Sequence, residues 1–139
     1  MRQDELKRWI KSYEDFSNKP YICTAGKLTI GFGRNIQDNG ISDIEAEFMF
    51  NNDMKRTEQD LMTCRWYINA PSPVKDALFN MCFNLGLTRL LGFKKMIKAI
   101  IEKDYTNAAI EALDSKWATQ VGERAKDIAI MIREANAED

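Results

Sequence analysis

Glu14, Cys23 and Thr29 are the side chains of this sequence best spaced for shared chemistry. Eight residues separate the first pair and five the second. They fall within residues 10–35, where an amphipathic helix is predicted to end at the glutamate and an alternating hairpin follows, with Gly26 in its turn. An acid that can protonate a leaving group, a thiol and a hydroxyl gathered at one cleft amount to acid–base chemistry, with the thiol serving as base, as nucleophile or as a holder of water. The chain has no histidine, which excludes Ser-His and Cys-His dyads and histidine-rich zinc sites. The three cysteines, Cys23, Cys64 and Cys82, lack the C-x-x-C spacing of a zinc or redox site. Their odd number argues against a disulfide framework and for a reducing compartment. Carboxylates and thiols are left to carry the proton traffic, and no metal or cofactor is expected.

Each of these side chains also has a plainer reading. Glu14 lies one position past the apolar stripe of its helix, at a C-terminus whose dipole disfavours a carboxylate, so on its own it reads equally as a solvated surface acid. Cys23 alone reads as an inert strand cysteine. In the predicted second strand Leu28, Ile30 and Phe32 share one face and Thr29, Gly31 and Gly33 the other. That alternation puts Thr29 opposite the core, beside positions where an extended ligand can approach the backbone. The same glycines can instead mark a bulge or a bend. Asp15 is the neighbouring carboxylate, but one step along a helix it points about 100° away from Glu14 and ranks below it.

The elements that must position these residues follow from periodicity. Leu6, Trp9, Ile10 and Tyr13 recur at helical spacing, with Asp4 and Glu5 near the start. Pro20 stops any helix. The hairpin runs from Tyr21 to Phe32, and residues 35–40 form a loop. Ser42 and Glu45 make a capping box that opens a long charged segment, either one helix or two, containing Phe48, Met49, Met54, Leu61 and Trp66. Val74, Ala77, Leu78, Met81, Cys82 and Leu85 are apolar almost all round, which predicts a buried central helix entered near Pro73 and ended by Gly86. Cys64 and Cys82 belong to the core. Gly92 precedes a helix through Phe93, Met96, Ile97, Ile100 and Ile101. Tyr105, Ala108, Ala109, Ala112 and Leu113 form the next, Trp117 sits in a connection, and Val121, Ala125, Ile128, Ala129 and Ile132 make the last amphipathic helix. The Asn-Ala-Glu-Asp end is expected to fray. A small hairpin unit followed by a helical majority is an α+β pattern.

The chain has 139 residues, enough for one domain with a real core. Its 20 Lys and Arg against 21 Asp and Glu give a net charge of −1, with no basic cluster for nucleic acid. The start lacks the apolar run of a signal peptide, and no segment approaches the roughly 20 apolar residues of a membrane span. The protein is expected to be made and stored in the cytosol.

The order Glu14, Cys23, Thr29 with the tail Thr-Ile-Gly-Phe-Gly resembles the catalytic segment of the phage-type lysozymes, the endolysins of glycoside hydrolase family 24, in which an aspartate or sometimes a cysteine holds the middle place. The similarity extends over nearly the whole chain. Gly40-Ile-Ser with Glu45-Ala-Glu resembles the entry into the family's inter-lobe helix, Ala77 to Gly86 its central helix, and Ser115-Lys-Trp117 with the Arg124-Ala-Lys run its C-terminal lobe, although the loop between hairpin and long helix is shorter than in the T-even branch. The resemblance implies a single domain over 1–139, with a small lobe of about residues 14–54 and a helical lobe of about 1–13 plus 55–139. A cleft lies between them, and the first helix packs on the helical lobe.

The same resemblance implies a muramidase that cleaves the β-1,4 bond between N-acetylmuramic acid and N-acetylglucosamine in peptidoglycan, with inversion. Glu14 would be the general acid, its pKa lifted by partial burial. Cys23 would act as base, nucleophile or water positioner, and Thr29 would hold water. Gly31, Phe32, Asn80, Phe83, Asn84 and Arg124 would meet substrate, Arg124 also pairing with Glu14. Phe83 and Trp117 would frame the cleft, and Arg34 stands where a histidine is frequent. The expected partner is the glycan strand, met by a monomer without stable membrane association, and a holin would release the enzyme from the host cytoplasm to the wall. Two rival readings are a lysozyme-like module that grips glycan without cutting it, motivated by Cys23 in place of aspartate, and a helical interaction protein.

Overall fold

A computed structural model describes residues 2–135. The elements run α1 (Gln3–Tyr13), β1 (Phe16–Ile22), β2 (Leu28–Phe32), β3 (Arg34–Asn35), α2 (Ile36–Asn39), α3 (Asp43–Leu61), α4 (Arg65–Ile68), α5 (Ser72–Leu85), α6 (Leu87–Leu91), α7 (Lys94–Ile101), α8 (Tyr105–Leu113), α9 (Lys116–Val121) and α10 (Glu123–Glu134). The α+β class is as the sequence pattern implies, a small antiparallel sheet in order β1-β2-β3 and a helical majority. Two compact units divide the chain, Met1–Met49 and Phe50–Asp139. The division falls inside α3, five residues before the expected one near 54. The first unit takes in α1, which the resemblance assigned to the helical lobe. Within this unit α1 is tied to the sheet by Lys11, whose Nζ lies 4.6 Å over the ring of Phe32, and by Glu14, which rests on Gly33.

In the first unit the apolar stripe of α1 is exposed, Tyr13 by 75%. Trp9 and Tyr13 instead meet each other edge to face at 6.0 Å, with the indole N–H donating to the Tyr13 hydroxyl. Strand β1 begins at Phe16, earlier than predicted, and Pro20 lies inside it. The proline is tolerated because the pairing register breaks between Ser17 and Tyr21, so no ladder N–H is needed there. Cys23 consequently falls in the turn rather than in a strand, its N–H donating to the Lys27 carbonyl and its own carbonyl accepting from Gly26. Residues 35–40 are not plain loop. Arg34 and Asn35 pair with Ile30 and Thr29 as a third strand, and α2 follows, capped by the Asn35 side chain accepting from the Asp38 N–H.

That third strand corrects the expected position of Thr29. With Tyr21 beside it on one flank and Asn35 on the other, Thr29 is the centre of the sheet and the only buried residue described in the first unit, 3% exposed. Leu28 and Phe32, expected on the core side, are 36% and 49% exposed.

The capping box forms as read: the Ser42 N–H donates to Glu45 Oε1 and the Glu45 N–H to Ser42 Oγ. Arg34 reaches the same carboxylate through both terminal nitrogens, one at 2.6 Å, and also donates to the Gly40 carbonyl. Arg34 first, then the Ser42 amide, hold the Glu45 carboxyl down at about 2. A depressed carboxyl contributes stability above its unfolded value, about 4.3, and loses it as pH falls through the folded value. Glu45→Gln is therefore expected to flatten the fall of the unfolding midpoint between about pH 4.5 and 2, with little effect at pH 7 because the pair is exposed. Thermal melts of both proteins across that range check it.

The helical unit holds the hydrophobic core. Helix α3 is one helix to Leu61, where it is fully buried. Val74, Ala77, Leu78, Met81, Cys82 and Leu85 line the buried side of α5, which ends at Gly86 with φ +81°. Ala108, Ala109 and Ala112 let α8 pack closely on α10 and α7, and α10 also packs on α5. Cys64 and Cys82 are buried free thiols, as expected of core residues. Two details differ from the sequence reading. Trp117 belongs to a short helix, α9, and Gly122 at φ +61° separates Val121 from α10. The chain end expected to fray lies outside the described residues.

Candidate active site

The hairpin turn brings Cys23 and Thr29 together. Lys27 lies between them in sequence, and its carbonyl accepts from both the Cys23 N–H at 3.0 Å and the Thr29 hydroxyl at 2.8 Å. The Thr29 side chain is the main influence on the thiol. With the backbone at Lys27 and Ala25 it holds Cys23 below the usual thiol range, against a smaller upward push from desolvation. Cys23 is half-buried and Thr29 buried, so the hydroxyl is fixed while the sulfur keeps an outlet. Proximity of a thiol and a hydroxyl that share a backbone anchor suits them to hold and activate a water.

Glu14 is placed by the other end of the same strand. It caps α1 with extended backbone, φ −95° and ψ 132°, its N–H bonded to the Ile10 carbonyl. Its carboxylate lies against the α-carbon of Gly33, which follows Phe32 at the end of β2. Where partial burial was expected, Glu14 is exposed, at a helix C-cap that leads straight into the edge strand β1. Phe32 is gripped on two sides, by Lys11 and by Phe16, its cross-strand partner, at 4.8 Å between ring centres. Gly31 and Phe32 border a cavity of about 560 Å³ that Ile30, Ile41, Phe48 and Met49 also line. Asp15, the lesser candidate, is exposed.

In the helical unit, Asn80, Phe83 and Arg124 border a second cavity of about 530 Å³ with Phe50, Met54, Asp76 and Phe79. The guanidinium of Arg124 is oriented by Asn80, Nε donating to the side-chain oxygen at 2.7 Å and Nη2 to the backbone carbonyl at 3.2 Å. Phe83, 37% exposed, meets Phe50 edge to face. Asn84 does different work from the expected substrate contact. Its side-chain oxygen accepts from the indole N–H of Trp117 at 2.8 Å. Trp117 itself is 4% exposed and meets Phe93 edge to face; its burial in the helical core corrects its expected place at the rim of a cleft.

The sequence pattern offers Glu14, Cys23 and Thr29 as candidates but does not identify three groups beside them: the Lys27 carbonyl that Cys23 and Thr29 share, Lys11 on Phe32, and Gly33 under Glu14. The glycine alternation in Thr-Ile-Gly-Phe-Gly signalled close approach at Gly33 without saying what approaches. Among the described residues no three His, Cys, Asp or Glu side chains converge as metal ligands, and no helix is long and apolar enough to cross a membrane.

The family model described as phage lysozyme matches residues 11–138. The "Probable T4-type lysozyme 2" of Dictyostelium discoideum is 30% identical, over 88% of this chain and 90% of that protein. "Probable T4-type lysozyme 1" of the same organism is 31% identical over 66% of this chain and 56% of its own length. An "Endolysin" of Acyrthosiphon pisum secondary endosymbiont phage 1 is 29% identical over 78% and 74%.

Proposed function

The chain belongs to the phage lysozyme family, and from that premise we propose that it is a muramidase, a lysozyme that hydrolyses the β-1,4 bond between N-acetylmuramic acid and N-acetylglucosamine in peptidoglycan. The observation that supports the assignment is that one strand, β2, borders all three side chains: Thr29, its second residue, adjoins Cys23, and Gly33 just past its end lies against Glu14.

Glu14 protonates the glycosidic oxygen as the bond to the anomeric carbon breaks. On the opposite face of the sugar, Cys23 and Thr29 hold the water that attacks, the thiolate taking its proton. Inversion follows, the geometry in which a roughly 6.5–9.5 Å gap between the partners admits a water. Gly31 and Phe32 offer backbone and ring to the glycan. Arg124, aimed by Asn80, supplies positive charge for the substrate, with Phe83 beside it; Asn84 contributes by holding Trp117 in place. The protein works as a monomer, stored in the host cytosol and admitted to the wall by a holin.

Digestion of purified peptidoglycan tests the bond. Soluble fragments whose new reducing ends are N-acetylmuramic acid, identified by mass spectrometry after borohydride reduction, are the expected products. Reducing ends of N-acetylglucosamine, or freed peptides with intact glycan, overturn the assignment. The thiol at position 23, where most relatives in the family resemblance carry a carboxylate, favours one second reading, a glycan-binding module without turnover. Binding to peptidoglycan with no new reducing ends is its signature.

A further inference from the structure

Among the described glycines, Gly33 has the tightest approach by another residue's side chain, that of Glu14. A methyl group built on the α-carbon of Gly33 would fall 2.5 Å from Oε2 of Glu14 and 3.1 Å from its carboxyl carbon. Carbon and oxygen do not approach so closely without a bond. At Gly26, which has the same φ of +78°, an added methyl meets nothing within 4 Å. Gly33 is thus constrained twice, by its backbone and by the carboxylate that occupies the space a side chain would take, whereas Gly26 is constrained only by its backbone.

We propose that Gly33 is a positioning residue for Glu14, its bare α-carbon being the seat that fixes where the acid's carboxyl stands. The inference rests on the proposed role of Glu14 as general acid. Neither neighbour can yield by moving its backbone. Glu14 is bound to Ile10 behind it and lies two residues before Phe16, which is paired with Phe32, the residue next to Gly33. Phe32 in turn is held by Lys11 and Phe16. A side chain at position 33 is relieved only by turning the Glu14 side chain, which moves its carboxyl by about 1 Å to regain ordinary contact at about 3.5 Å. Misplacing a reacting group by that distance costs about 100-fold in rate, while a flexible exposed side chain turns with little cost to folding.

The test compares Gly33→Ala with Gly86→Ala in the full-length protein, reading kcat and KM on soluble peptidoglycan fragments and the unfolding midpoint; Gly86, at the end of α5, has a φ of +81° and open space where a methyl would go. Both variants pay the backbone strain of a side chain at positive φ, so similar drops in the midpoint are expected. Only Gly33→Ala should lose kcat, by about 100-fold with KM nearly unchanged. In a Glu14→Asp background, whose shorter side chain does not reach the seat, Gly33→Ala should cost no more kcat than Gly86→Ala does. Full kcat in Gly33→Ala beside an inactive Glu14→Gln overturns the seat and leaves the acid role standing; an active Glu14→Gln defeats the acid role itself. If Gly33→Ala does not fold, the pair Glu14→Ala with Gly33→Ala decides: regained folding upholds the contact, continued unfolding overturns it.

Discussion

Glu14→Gln is expected to lower peptidoglycan hydrolysis by about 10²–10⁴-fold, the usual worth of a general acid, while leaving the fold intact or slightly firmer. The two halves of that expectation come from different parts of the residue. The structural work at this position is done by the backbone: the N–H of Glu14 closes α1 on the Ile10 carbonyl, and its extended φ and ψ lead into β1. Glutamine preserves both and, being isosteric, lies on Gly33 in the same way. What it removes is a negative charge at a helix C-terminus, where the carbonyl end of the dipole disfavours one, and the proton that the leaving oxygen needs. A site whose residue is mildly unfavourable for the helix yet required for turnover is a familiar trade of stability for activity. Turbidity loss of cell walls and a thermal melt of the two proteins check both halves together. Equal lytic rates would end the assignment of Glu14; a lost rate accompanied by a collapsed melt would mean the side chain was structural after all.

How far the chain's own pattern foretells such a site depends on whether a feature is local. Helix α5 was legible because Val74, Ala77, Leu78, Met81, Cys82 and Leu85 are apolar at helical spacing and Gly86 ends the run. The capping box at Ser42 and Glu45 was legible for the same reason, being a four-residue event. Thr29 was not, since its burial depends on β3, a strand of two residues brought back on β2 by a turn with Gly31 and Gly33 both at positive φ. Pro20 misled in the same way: a proline reads as a stop, and only the broken register opposite it explains how β1 continues through. The break at Gly122 hides inside an apolar periodicity that runs on past it from Val121 to Ala125. At the site itself, the residue types at 14, 23 and 29 could be read from spacing and family likeness. The seat at Gly33 could not, because a missing side chain announces that something comes close but never which atom.

Cys23→Ala is expected to lose about 10²–10⁴-fold in rate, as loss of a general base does, and Cys23→Asp to keep activity with its optimum moved to lower pH. The sign follows from which form is active. A thiolate becomes available only as pH rises through the thiol's pKa, about 8.5 for an ordinary cysteine and lowered here by Thr29 and the neighbouring backbone; an aspartate is already ionised above about pH 4, so the acid limb of the profile moves down. Thr29 supplies a second handle. Its hydroxyl carries a single proton, donated at rest to the Lys27 carbonyl, and that carbonyl also accepts from the Cys23 N–H. The hydroxyl can therefore turn to an ionising sulfur without leaving the carbonyl bare. Thr29→Val removes the donor and should raise the thiol's pKa, whereas Thr29→Ser should not. Iodoacetamide labelling reads this directly on native protein, because Cys64 is buried and burial pushes the Cys82 thiol up to about 11. The labelling profile of Thr29→Val should shift to higher pH, and the acid limb of its activity should shift with it. If Cys23→Asp leaves the activity profile where it was, the sulfur does not titrate during turnover. The thiol would then act by placing the water that Thr29 also holds, and hydrolysis would draw its basicity from elsewhere.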